Sequence, residues 1–134
     1  MQGVVIMKKE VLIFPDVNKP ASPFNHVIKA GNTLYLTSQL SRNLKTGQII
    51  PGDIVLQTKN AMENIKYLLE NSNSSMNNIL DITIYMKDIS DFGKMNEVYK
   101  EYFKSGEEPA RVTVQALSPI ESIDIEIKVI AVTD

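Results

Sequence analysis

A chain of 134 residues, 43% hydrophobic and 22% charged, has the size and makeup of one globular domain rather than two. With 14 Lys+Arg against 16 Asp+Glu it lacks the concentrated positive surface of a general nucleic-acid binder, and no apolar run approaches the ~20 residues that cross a bilayer. It has no cysteine and a single histidine, His26, which excludes disulfides, thiolate chemistry and a multi-histidine metal site, and speaks against the usual Ser/His hydrolase.

The first residues, Met1 to Met7, carry an apolar patch too short for a signal peptide, with no basic residue before it. Met7-Lys8-Lys9-Glu10 also reads as a natural start, so residues 1–9 are taken as a flexible extension of a single domain spanning 1–134. A cytoplasmic setting is the expectation, and a mitochondrial one is compatible with it. Val11-Leu12-Ile13-Phe14 reads as a first strand that stops at Pro15. Strand-like runs at 26–30 and 33–37 flank Gly31-Asn32, the signature of a tight hairpin. Asp53 is placed to cap a helix whose stripe includes Val55, Met62, Ile65 and Leu69 and which ends at Asn71-Ser72-Asn73. Ile82 to Lys87 alternates as a strand. A second helix follows, capped by Ser90 or Asp91, with the stripe Phe92, Met95, Tyr99, Tyr102 and Phe103. Strands at 111–117 and 123–132 close an α+β chain of order β-β-β-α-β-α-β-β.

Alternation sorts the strand residues into faces. Ile123, Ile125, Ile127 and Val129 share a face that the helices can cover, opposite Asp124, Glu126, Lys128 and Ile130. Likewise Val112, Val114 and Ala116 oppose Arg111, Thr113 and Gln115, and Leu34 and Leu36 oppose Tyr35 and Thr37. Two helices cover only one face of such a sheet. The other mixes Tyr, Thr and Ile with charge, a pattern more often found in subunit contacts than on solvated faces.

Few residues are left for chemistry. Arg111, after Pro109-Ala110, presents a planar fork that matches a carboxylate or phosphate through paired bonds. Glu126, between Ile125 and Ile127, is a carboxylate suited to accepting a proton from water and aiming it. The commoner readings stand beside these: an arginine at a strand start is usually solvated or ion-paired, and a strand glutamate is usually exposed, here near Lys128 or Lys87. His26 reads as a structural hydrogen bonder, and Asn96 as a surface residue of the second helix.

At this point the chain resembles the YjgF/RidA reactive-intermediate deaminase family, also labelled L-PSP endoribonuclease, over residues 10–133. The resemblance is carried by Ser22-Pro23-Phe24, by Gly31-Asn32 with Leu34-Tyr35-Leu36-Thr37-Ser38-Gln39, and by Lys45-Thr46-Gly47. It continues through the Gln57 to Asn64 region, Met86-Lys87-Asp88 to Phe92 with Asn96, Pro109-Ala110-Arg111, Ile125-Glu126-Ile127 and Ile130-Ala131-Val132. It implies a chorismate-mutase-like fold with a six-stranded mixed sheet, two helices on one face and a homotrimer joined through the other, with clefts between subunits.

The resemblance also implies hydrolysis of reactive enamines and 2-imino acids, such as 2-aminoacrylate, 2-iminopropanoate and 2-iminobutanoate, to 2-keto acids and ammonia. No cofactor, metal or membrane is implied, and nucleic acid is not an expected partner. Arg111 stands at the family's carboxylate-binding position and Glu126 at that of the water-positioning acid. Asn96 and Thr37 match cleft-lining positions. Phe24 stands where tyrosine is usual, Thr113 where cysteine is frequent and Ser38 where glycine is usual. The alternatives are an endoribonuclease or translation inhibitor, for which the acidic composition offers little physical support, and a non-catalytic trimer that binds small carboxylates or acts as a chaperone.

Overall fold

Short apolar–polar alternations separated by turn residues build strands, and the two longer stretches of helical period fold back over one side of the sheet they form. The computed structural model describes residues 8–134. The elements are β1 (Lys9–Leu12), β2 (Val27–Ala30), β3 (Thr33–Leu36), α1 (Ile54–Glu70), β4 (Ile79–Met86), α2 (Phe92–Tyr99), β5 (Ala110–Gln115) and β6 (Ile125–Val132). They make one six-stranded sheet in the order β1-β2-β3-β6-β4-β5. Every pairing is antiparallel except β4 with β5, which is parallel because α2 forms the crossover between them. Residues 1–7 of the expected extension lie outside the described residues, and Lys9 already pairs with Ala30 in β1. The first strand therefore starts and ends earlier than its apolar run at 11–14.

The core lies between the sheet and the helices. Ala61, Met62, Ile65, Leu68 and Leu69 of α1 and Met95 of α2 pack with Leu34, Leu36, Ile82, Ile84, Ile125, Ile127 and Val129, all buried. Asp53 caps α1, its carboxylate accepting from the Leu56 N–H at 2.9 Å. Gln57, wholly buried, ties that helix to the start of β6. Its amide donates to the carbonyls of Gly52 and Ser122, and its oxygen accepts from the Asp124 N–H. The β2–β3 hairpin turns at Gly31, whose φ of 59° lies in the left-handed region. Among the described residues no helix is long and apolar enough to cross a membrane.

Two local expectations are corrected. Asp91 occupies the N-cap position of α2, as expected, but its side chain makes no capping bond, and the capping contact lies one turn earlier. The Asp88 carboxylate accepts from the Ser90 N–H and hydroxyl at 2.9 and 2.7 Å, opening a 3-10 turn over Ile89–Asp91 that leads into the helix. In β5 the apolar alternates point away from the helices. Its parallel register with β4 pairs Arg111 with the buried Ile82 and Thr113 with the buried Ile84, while Val112 and Val114 pair with Thr83 and Tyr85 on the open face. Val112 is 51% exposed there and Tyr35 43%, so the uncovered face carries large apolar side chains.

Candidate active site

The register of three neighbouring strands fixes which side each candidate side chain takes. One row across β5, β4 and β6 is Val114, Tyr85 and Glu126, and this row lies on the open face. Three residues along β5, the helix-side row through Arg111 runs to Ile82 and Val129. Arg111 and Glu126 of one chain thus sit on opposite faces of the sheet. The candidate residues fall into two groups that a single protomer does not bring together.

Arg111 heads the first group, half-buried at the start of the edge strand beside α2. Its Nη1 donates to Asn96 Oδ1 at 2.7 Å, and its guanidinium carbon lies 5.5 Å from the ring centre of Phe92 and 4.7 Å from that of Tyr99. Positions 92, 96 and 99 are spaced by four and three, which places the two rings and the amide on one side of α2. Such contacts orient a guanidinium without cancelling its charge. Among the described residues the ion pairs join Lys100 to Glu97 and Lys104 to Glu107, and no carboxylate lies within 4.0 Å of Arg111.

Two hydroxyls beside this cation are buried without partners: that of Tyr99 and that of Thr113, the next residue along the same side of β5. Burial pushes the Tyr99 phenol above its usual range, and the Arg111 charge pulls partly against that shift. The cavity here is about 700 Å³ and is lined by Asn96, Tyr99, Phe103, Glu108 and Arg111 among others. The guanidinium and the two unpartnered hydroxyls leave hydrogen-bonding capacity unmet here, while Glu97, Glu101 and Glu108 line the same cavity. Asn96, a surface residue on pattern alone, is thus in contact with the guanidinium. Phe92 and Tyr99 read in the sequence only as the helix's apolar stripe; the clue was an asparagine lying within that stripe.

The second group surrounds Glu126. Tyr35 pairs with Ile130 and Gln39 bridges to Ile127, so the chain after β3 carries one residue more than the β6 segment opposite. This bulge turns Thr37 and Ser38 toward the glutamate. The Ser38 hydroxyl donates to Glu126 Oε1 at 2.6 Å, a short charge-assisted bond that fixes the carboxylate and leaves Oε2 for another donor. Beside it, Lys128 Nζ donates to the Leu36 carbonyl at 2.7 Å, so the ammonium is committed to backbone and not to Glu126. Thr37, Ser38, Phe24, His26 and Glu126 line one cavity of about 440 Å³. Ser38 stands out in the sequence only as a departure from the usual glycine, and that departure supplies the carboxylate's one recorded side-chain partner.

Comparison with known proteins agrees with this fold. A family model described as Endoribonuclease L-PSP matches residues 16–133. A RutC family protein of Pyrococcus horikoshii is 45% identical over 123 residues, covering 92% of this chain and 97% of that one. The 2-iminobutanoate/2-iminopropanoate deaminase of Mus musculus is 33% identical over 110 residues, 82% of this chain and 81% of its own. Among solved structures, yeast Mmf1 superposes with a TM-score of 0.85 at 27% identity, covering 95% of this chain and 100% of that one. RidA from an Antarctic Psychrobacter gives 0.83 at 26% identity, with 92% and 98% covered. Helices confined to one face of the six-stranded sheet, the family match over almost the whole chain and relatives aligned nearly end to end place this chain in the YjgF/RidA family, the one described as endoribonuclease L-PSP.

Proposed function

We propose that the protein hydrolyses small 2-imino acids, such as 2-iminopropanoate and 2-iminobutanoate, to 2-keto acids and ammonia, in clefts between the protomers of a homotrimer. The observation that carries this reading is the oriented guanidinium of Arg111, held by Asn96, Phe92 and Tyr99 and paired with no carboxylate among the described residues. Relatives named 2-iminobutanoate/2-iminopropanoate deaminase support the reaction class. Support for a cleft shared between subunits comes from the opposite-face placement of Arg111 and Glu126, and from the apolar side chains exposed on the uncovered face. Packing that face against a neighbour's edge strand β5 would bury Val112 and Val114 and bring one chain's Arg111 toward the next chain's Glu126.

In the proposed cleft the substrate carboxylate takes the free N–H groups of Arg111, which sets the imine carbon in a fixed place. Glu126, held through Oε1 by Ser38, accepts a proton from water as the water oxygen adds to the protonated C=N bond. The proton then passes to the nitrogen of the resulting carbinolamine. Ammonia leaves as the hydroxyl oxygen gives its proton back to the Glu126 carboxylate and closes to the ketone. A protonated imine is electrophilic enough to need no further activation. The endoribonuclease description finds little support, because the chain's one histidine is engaged through Nε2 with the Asn18 carbonyl at 2.9 Å.

The test couples the protein to a threonine dehydratase and follows 2-keto acid release while semicarbazide competes for the imine. Acceleration over the uncatalysed rate is the expected result; an unchanged rate would reject the reading. Within that assay Ser38→Gly frees the Glu126 carboxylate from its tether. The loss of one such bond, about 1 kcal/mol, predicts a kcat roughly fivefold lower with KM nearly unchanged. A variant whose KM rises while kcat holds would show that Ser38 serves binding instead.

A further inference from the structure

The cavity on the Glu126 side is far roomier than a three-carbon imino acid requires, and its volume of about 440 Å³ lies in the range of sites that enclose much larger ligands. The same wall that carries Glu126, Ser38 and Phe24 also carries His26 and Arg42. Arg42 sits in a tied loop: it bridges to Ile49, and its carbonyl accepts from Asn64 Nδ2 at 2.8 Å. Its side chain is not tied. The Nε–H is buried with no acceptor, and among the described residues no carboxylate lies within 4.0 Å of the guanidinium. Arg42 also borders the adjoining groove, where Asp16, Glu63 and Glu70 stand, without pairing to any of them.

His26 adds a second unmet atom. Its Nε2 faces the Asn18 carbonyl and so carries the hydrogen, while Nδ1 is buried without a partner. The Arg42 Nε–H is enclosed by protein, so a ligand in the cavity meets Arg42 at the terminal nitrogens of its guanidinium, which carries a permanent charge.

We infer that Arg42 forms a second anion subsite in the Glu126 cavity, taking the far carboxylate of a 2-imino dicarboxylic acid whose imine lies at Glu126. The imine end of this assignment rests on the deaminase reading above; the anion end rests on Arg42 alone. The charges agree. Two guanidiniums, one from each protomer, and one glutamate balance a protonated imine that bears two carboxylates.

The non-reacting products serve as probes. In calorimetric titrations of the full chain, 2-ketoglutarate binds at least tenfold more tightly than 2-ketobutyrate, the gain of one charge-assisted contact. Arg42→Met brings the ratio of the two affinities close to one, and Arg42→Lys, which keeps the charge, retains part of the preference. Equal binding of the two keto acids by the wild-type protein, or a preference that survives Arg42→Met, overturns the subsite. The dehydratase-coupled assay separates the two readings. Imine hydrolysis without any 2-ketoglutarate preference rejects the subsite alone. A preference that depends on Arg42, in a protein that does not accelerate imine hydrolysis, upholds the subsite and rejects the deaminase.

Discussion

Replacing Arg111 with alanine is expected to lower kcat/KM for a dehydratase-released imine by about 30-fold to 1,000-fold, equivalent to roughly 2–4 kcal/mol of lost transition-state binding. The loss is large because the guanidinium is already aimed. Asn96 holds one of its nitrogens at 2.7 Å and two aromatic rings lie near its carbon, so little ordering remains to be done when substrate arrives. Lysine at the same position keeps the charge but not the planar fork, and should recover only part of the rate. The measurement is keto acid release in competition with semicarbazide, alongside a thermal melt to show that the variant is folded. Equal acceleration by wild type and Arg111→Ala would remove the arginine from the mechanism.

A larger effect, and a more specific one, is expected when two inactive variants are mixed. Arg111→Ala and Glu126→Gln should each be nearly inactive as homomers. Co-refolded in equal amounts, they should regain about a quarter of wild-type activity per protomer, the chance that an intact arginine from one chain faces an intact glutamate from its neighbour. This follows from the strand register, which sets the two side chains on opposite faces of their own sheet. If one chain supplied both groups, no mixture of the variants would recover any activity, so a null result would place the reaction, if any, within a protomer.

Much of this arrangement can be read from the residues. The alternation through Ile125, Ile127 and Val129 identifies the covered side of β6, because three isoleucine- or valine-sized groups in step leave no other stable choice. The same logic misleads in β5. Val112 and Val114 are equally regular, yet they face outward, because a parallel neighbour and an edge position, not hydrophobicity, decide which way that strand lies. In an edge strand such as β5, alternation tells two faces apart without saying which one the helices take. Asn96 shows a related gap: its meaning depends on Arg111, fifteen residues away on another element, and no local pattern contains that distance. Ser38 and Glu126 are farther apart still, and their contact depends on a bulge that single-chain periodicity does not register.

The spacing of these contacts along the chain has a consequence for how the protein assembles. Phe92, Asn96, Tyr99 and Arg111 belong to a single strand–helix–strand crossover, so this cluster closes a short loop at small entropic cost. The Ser38–Glu126 contact spans 88 positions and exists only once the hairpin of β2 and β3 has docked on the last strand. A nascent or partly unravelled chain can therefore form the Arg111 contacts before the Ser38–Glu126 bond, and under the proposed mechanism mutations that weaken the sheet as a whole should erode turnover ahead of ligand capture.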